Sequence, residues 1–146
     1  MKVQQILLKK GNQVISVNEE TTVYEAIALM ADHNIGALIV MDNEHMSGIV
    51  SERDYRNKVI LKGRRSKDTP VKDIMTQNVF CVGLDYDLNE CMKIISDKKI
   101  RHLPVLDARG QLAGIISIGD IVRSIMDEQK SEIQNLRNYI SSGYPA

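Results

Sequence analysis

The chain has 146 residues, with 19 basic and 19 acidic side chains and no tryptophan. That length allows one ordinary domain or two small units sharing a core. Balanced charge removes the global field that would draw the chain to nucleic acid or an anionic membrane, and the longest apolar run, Ile35–Met41, is too short for a membrane span.

The N-terminal stretch "MKVQQILLKKG" has too few apolar residues in a row for a secretory leader, and charges return at once. A soluble, cytoplasmic protein is therefore expected. Val14–Val17 reads as a short strand. Thr22 and Glu25 have the spacing of a capping box, and Val23, Ala26, Ile27 and Met30 follow as one helical apolar stripe. A hydrophobic strand, "GALIVM", comes next, and then a polar turn, "DNEHMS", in which His45 is a solvated residue. A second strand ends in "GIVSERD", Gly48–Asp54, with a helix starting near Ser51. Residues 62–78, polar, basic and containing Pro70, read as a linker.

The chain then repeats itself. A shift of 65 positions lays Glu25 on Glu90, Asp32 on Asp97, Ile35 on Ile100, Val40 on Val105 and Asp42 on Asp107. One extra turn residue raises the shift to 66, and Gly48, Ile49, Ser51 and Asp54 meet Gly114, Ile115, Ser117 and Asp120. The second copy begins with the strand Val79–Val82 and caps its helix with Asp87 and Glu90. Cys91 takes the core slot that Ala26 holds in the first copy, so a buried structural thiol is expected. Neither Cys81 nor Cys91 has metal-site or disulfide-framework spacing. Ile118, Ile121, Val122, Ile125 and Met126 give the closing helix an apolar face. Ile133, Leu136 and Ile140 form another, which is expected to dock on the module or on a partner chain.

A lone Ser-x-x-Asp is most simply a helix N-cap with an acidic first turn. Its return at the same place in each copy favours a second use. An enzyme is disfavoured: His33, His45 and His102 are scattered, and no nucleophile–base pair, metal cluster or Walker-type loop is present. The cations Lys62, Arg64, Arg65 and Lys67 have no interleaved aromatics, so they read as a solvated loop and not as a nucleic-acid patch.

The repeat, the strand "KIRHLPVLD" and the paired Gly-h-h-Ser-x-x-Asp motifs resemble a tandem pair of CBS domains, a Bateman module, over roughly residues 8–127. The phrases "NIGALIVMD", "DIMT" and "IRHLPV" are similar to stand-alone bacterial two-CBS proteins labelled as related to IMP dehydrogenase. The resemblance implies an α/β (α+β) fold of two β-α-β-β-α units packed through their sheets with pseudo-two-fold symmetry. Residues 1–66 would hold the N-terminal segment and first domain, 67–128 the second domain, and 129–146 a C-terminal helix and tail.

It also implies clefts for an adenine nucleotide such as AMP, ATP, NAD or S-adenosylmethionine, with no catalytic cofactor. Asp54 and Asp120 would hold ribose hydroxyls, and Ser51 and Ser117 would sit where helix-start amides favour phosphate. The first cleft would add Arg53, Thr76, Ile100, Arg101 and His102. The second would add Lys10, Ile35, Gly36 and Ala37, with Lys10 or Lys9 as its cation. The first is expected to bind more strongly because Arg101 and His102 can neutralise phosphate. Partners implied are a homodimer and an effector protein, with a ligand-free dimerisation or adaptor role as the alternative.

Overall fold

The structure, a computed structural model, describes residues 1–143, with side chains described through Ser141. The chain forms two compact units. One comprises residues 13–81, and the other joins residues 1–12 to the chain from 82 onward.

The first unit contains β1 (Ser16–Asn18), α2 (Val23–His33), β2 (Ala37–Asp42), β3 (His45–Ser51) and α3 (Glu52–Lys58), numbering from the helix α1 (Val3–Lys10) that precedes it. β2 lies at the centre of the sheet, parallel to β1 and antiparallel to β3. The second unit repeats this with β4 (Val82–Gly83), α4 (Leu88–Lys98), β5 (His102–Leu106), β6 (Leu112–Ser117) and α5 (Ile118–Gly143). The first strand of each unit starts later than its hydrophobic run suggests. β1 is confined to residues facing Ile39–Met41, and β4 to those facing Val105–Leu106.

The same irregularity marks both hairpins. Pairing passes from Val40↔Gly48 to Met41↔Met46 in one, and from Val105↔Gly114 to Leu106↔Leu112 in the other. Ser47 and Ala113 are the extra residues of these bulges, which bend the strand just before the glycine motif. The first turn contains only Asn43, at φ 56°, and Glu44. His45 therefore pairs with Asp42 and opens β3, so it is an exposed strand residue and not part of the turn. The second turn closes through Asp107 N to Gln111 O at 2.8 Å, with Gly110 at φ 79°. Its additional residue accounts for the change of shift from 65 to 66.

α2 and α4 carry their expected N-caps. Thr22 Oγ1 accepts from Glu25 N at 3.2 Å, and an Asp87 carboxylate oxygen accepts from Asn89 N at 2.9 Å. Glu25 and Glu90 remain exposed, and the reciprocal box is found at α3 instead. Asp87 bonds two residues ahead, as aspartate readily does in a local turn. Cys91 is fully buried, as expected from its slot, and burial, followed by Glu90 and Asp87, pushes its thiol up to about 11. It stays a neutral core residue.

The composition of the units departs from a division into residues 1–66 and 67–128. Residues 69–76 fold back onto the first unit. Val71 and Ile74 enter its core, while Val23 N donates to Thr69 O and Val71 N to Thr21 O, each at 2.8 Å. α1 does the same in the second unit. Val3, Ile6 and Leu7 enter that core, Val3 N donates to Tyr86 O and Leu88 N to Met1 O. Each segment thus bridges to the cap of a central helix, Pro70 to Thr22 and Lys2 to Asp87. The cause is local: Val3, Ile6 and Leu7 form one apolar stripe at i, i+3, i+4 that must be buried.

α5 is one unbroken helix, so the closing helix and the C-terminal segment are a single element. Ile121 and Ser124 are buried, but residues 129–141 are all exposed. That segment does not dock on the module.

Candidate functional site

In the first unit, β3 delivers Ser51 in an extended conformation, φ −130° and ψ 167°, directly to the start of α3. Ser51 Oγ accepts from Asp54 N at 3.2 Å. Asp54 Oδ2 accepts from Ser51 N at 3.0 Å and from Ser51 Oγ at 3.1 Å. Its other oxygen, Oδ1, is 3.0 Å from Lys58 Nζ, which also donates to Ile74 O at 2.8 Å. Asp54 is buried, and Arg53 lies beside it on α3. Thr76 is tied to the outer edge of β3 by Ile49 N to Thr76 O at 3.0 Å and Thr76 N to Ile49 O at 2.9 Å.

The second unit builds the same box. Ser117 N donates to Asp120 Oδ2 at 2.8 Å, and Asp120 N donates to Ser117 Oγ at 3.1 Å. Its cations differ. Lys10 Nζ donates to Asp120 Oδ2 at 2.6 Å and to Ile115 O at 2.8 Å, and Arg123 donates to Asp120 Oδ1 at 2.8 Å. Lys10 therefore meets the edge carbonyl that, in the first unit, meets the amide of Thr76. Ile115 and Ile49 are equivalent positions of the repeat.

Lys58 and Arg123 are the residues that sequence reasoning missed. Their signal was present: they lie four and three residues after the aspartates, where helical ion pairs form. Of the two lysines expected at the second site, Lys10 holds Asp120, and Arg123 adds a second cation that the sequence reading did not include. Two helix-start amides in each unit are likewise engaged. Glu52 N donates to Gly36 O and Asp54 N to Ser51 Oγ, and in the second unit Ile118 N donates to Arg101 O and Asp120 N to Ser117 Oγ.

Ile35, Gly36 and Ala37 lie at the entry to β2 in the first unit, and Ile100, Arg101 and His102 at the equivalent entry to β5 in the second. The linker cations are largely compensated. Arg64 pairs with Asp73 at 3.0 Å, Arg65 with Asp68 at 3.3 Å, and Lys67 Nζ stands 4.8 Å from the Tyr24 ring centre. They flank a cavity of about 300 Å³ together with Tyr55 and Val59.

Burial pushes the Asp120 carboxyl upward, but the hydrogen bonds from Lys10 and from the Ser117 amide outweigh it. The net result lies below the ordinary 3.8. A depressed folded value means that the stabilisation is fully present above the unfolded value and is lost as pH falls through the folded one. Asp120→Asn is expected to cost about 1 kcal/mol at neutral pH, the scale of one charged hydrogen bond after solvent screening. The gap between variant and parent urea midpoints should close as the pH falls below about 4. A gap independent of pH would show that the ion pair contributes nothing.

Among the described residues, no group of His, Cys, Asp and Glu could hold a metal ion, and no helix is long and apolar enough to cross a membrane. The CBS domain family model matches residues 5–60 and 71–127. A mitochondrial CBS domain-containing protein of Arabidopsis thaliana, CBSX3, is 41% identical over 130 residues, covering 86% of this chain and 63% of that protein. The chain thus spans somewhat under two thirds of that relative's length. A solved CBS-domain protein from Burkholderia ambifaria MC40-6 superposes with TM-score 0.85 at 45% identity, covering 88% of this chain and 96% of its own. At the level of fold alone, a Pyrobaculum aerophilum CBS domain protein complexed with AMP gives TM-score 0.76 at 21% identity, covering 90% of this chain and 99% of its own. The two matched segments coincide with the two repeats of strand, helix, hairpin and Ser-x-x-Asp box, and the chain belongs to the CBS domain family, carrying the domain twice.

Proposed function

We propose that the chain is a regulatory module whose CBS domains bind an adenine nucleotide, AMP, ATP or a dinucleotide such as NAD, and signal through a change of conformation or assembly. The observation that carries this reading is the duplicated carboxylate. Asp54 and Asp120 are each held by a serine and flanked by a cation within about 3 Å. A carboxylate accepts two hydrogen bonds, which suits the paired hydroxyls of a ribose. The neighbouring cations, Lys58 with Arg53 and Lys10 with Arg123, suit its phosphates. The fold-level match to a CBS protein complexed with AMP supports the ligand class.

Binding in this reading exchanges partners: a ribose takes acceptor positions on the aspartate, and the lysine turns from aspartate to phosphate. Such an exchange signals only if the ligand favours one arrangement over another. Thermal and chemical denaturation with AMP, ADP, ATP, NAD and S-adenosylmethionine tests it. A ligand at 100 times its dissociation constant should add about 2.7 kcal/mol. Asp54→Ala or Asp120→Ala should remove binding from its own domain. Wild-type affinity in both variants would refute the ribose assignment, and no stabilisation by any of the five would leave the ligand-free adaptor.

A further inference from the structure

The first unit carries a cavity that the Ser-x-x-Asp box does not use. It holds about 300 Å³ among α2, the end of α3 and the segment that follows, and Ser51, Asp54 and Lys58 do not line it. Tyr24, Tyr55 and Val59 supply apolar lining, and Arg64, Arg65 and Lys67 supply cations. Backbone and threonine contacts fix the charged segment. Val59 O accepts from Lys62 N at 3.2 Å and from Arg64 N at 3.0 Å, with Gly63 turning the chain at φ 68°. Arg65 O accepts from the hydroxyl of the buried Thr69 at 2.8 Å and from Asp68 N at 3.0 Å. A concavity formed in advance is what small-molecule sites share.

The second unit has no counterpart, so the cavity is not a by-product of the duplicated fold. At the shift of 65, Tyr24 lies on Asn89. At 66, Tyr55 lies on Ile121, and residues 59–68 fall on 125–134, inside the unbroken α5. Ile121 is fully buried, whereas Tyr55 packs against its core and keeps part of its surface exposed. Tyr24 and Ile60, which also lines the cavity, are 51 and 56% exposed. Exposed apolar groups gathered around one hollow mark a binding surface.

The cations set the sign of the ligand. Arg64 engages Asp73 through one terminal nitrogen, and Arg65 engages Asp68 through Nε. A guanidinium carries five N–H donors, so each of these ion pairs leaves donors for a further acceptor. The Lys67 ammonium stands 4.8 Å from the centre of the Tyr24 ring. Three cations against two carboxylates leave this group one charge positive. We propose that the cavity binds a small aromatic acid, a single flat ring bearing a phosphate or carboxylate group. The ring packs against the tyrosines in an offset or edge-to-face arrangement, with Val59 and Ile60 as aliphatic contacts. The acid group takes charge-assisted hydrogen bonds from Arg65 and Lys67. The volume is at the lower end of ligand pockets, which suits one ring and its acid group.

This site lies outside the nucleotide reading and does not depend on it. Amide NMR spectra of the full chain, titrated with phenyl phosphate and with benzoate, test it. At least one of the two should shift the amides of Tyr24, Ile60 and Ser66 saturably, with a midpoint below about 1 mM. Phenol and inorganic phosphate, each offering half of the chemistry, should bind about tenfold more weakly or worse. Arg65→Gln with Lys67→Gln should weaken binding by about tenfold. Both positions are exposed, so the melting temperature should be retained. Tyr24→Ala should weaken binding about threefold to tenfold. Saturation by neither acid, shifts confined to Ser51–Asp54, inorganic phosphate binding as tightly as phenyl phosphate, or unchanged affinity in the double variant would each overturn the proposal.

Discussion

Deletion of residues 1–12 is expected to unfold the second CBS domain, although most of that domain lies more than seventy residues away in sequence. Val3, Ile6 and Leu7 are 0, 2 and 7% exposed in its core. Burial of three such side chains is worth about 5–8 kcal/mol, comparable to the whole stability of a small domain. The deletion also removes the partners of Tyr86 O and Leu88 N at the cap of α4, and the Lys10 ammonium from Asp120. Hydrogen exchange gives the readout: amides of α4, β5 and β6 should lose protection, while those of α2, β2 and β3 keep theirs. Ile6→Ala is the milder form, expected to cost about 2–5 kcal/mol. If the deleted chain kept full protection in β5 and β6, α1 would be an accessory and not part of that core.

The two motif glycines should respond unequally to alanine. A Cβ on Gly48 would lie 2.7 Å from the Thr76 carbonyl oxygen and 2.9 Å from Met75 Sδ. The backbone of residues 75–76 must then move, and with it the two hydrogen bonds to Ile49. Overpacking of that kind costs about 1–3 kcal/mol. At Gly114 the nearest atom is Leu7 Cδ2 at 2.8 Å, the far end of a side chain that can change rotamer. Gly48→Ala should therefore lower the urea midpoint clearly more than Gly114→Ala. Equal losses would mean that the close approach at Thr76 is not what requires glycine.

These glycines also illustrate what the sequence made legible. Their repetition marked two equivalent positions, but not that Gly48 faces the backbone of residue 76 and Gly114 the side chain of Leu7. The repeat itself was readable because equivalent core slots keep their apolar character, as Ala26 and Cys91 do. The N-caps were readable because a hydroxyl or carboxylate must satisfy amides at a fixed offset. The exchange of α1 and residues 69–76 between copies was not, because pairings such as Lys2 with Asp87 leave no periodicity along the chain. Lys58 and Arg123 could have been found from their helical offsets to Asp54 and Asp120. So could the continuity of α5, since neither Gly nor Pro interrupts residues 121–142.

Asp120 sits in the first turn of a helix that runs on without interruption to Gly143. Twenty-six residues make a rod about 39 Å long. Its first turns are clamped to the domain through Ile121, Ser124 and Ile125, so only the part beyond Glu128 stands clear of it. Those fifteen residues to Gly143 extend about 22 Å, and any rotation of the clamped turns is carried outward along them: a tilt of about 5° would displace the tip by about 2 Å over that length.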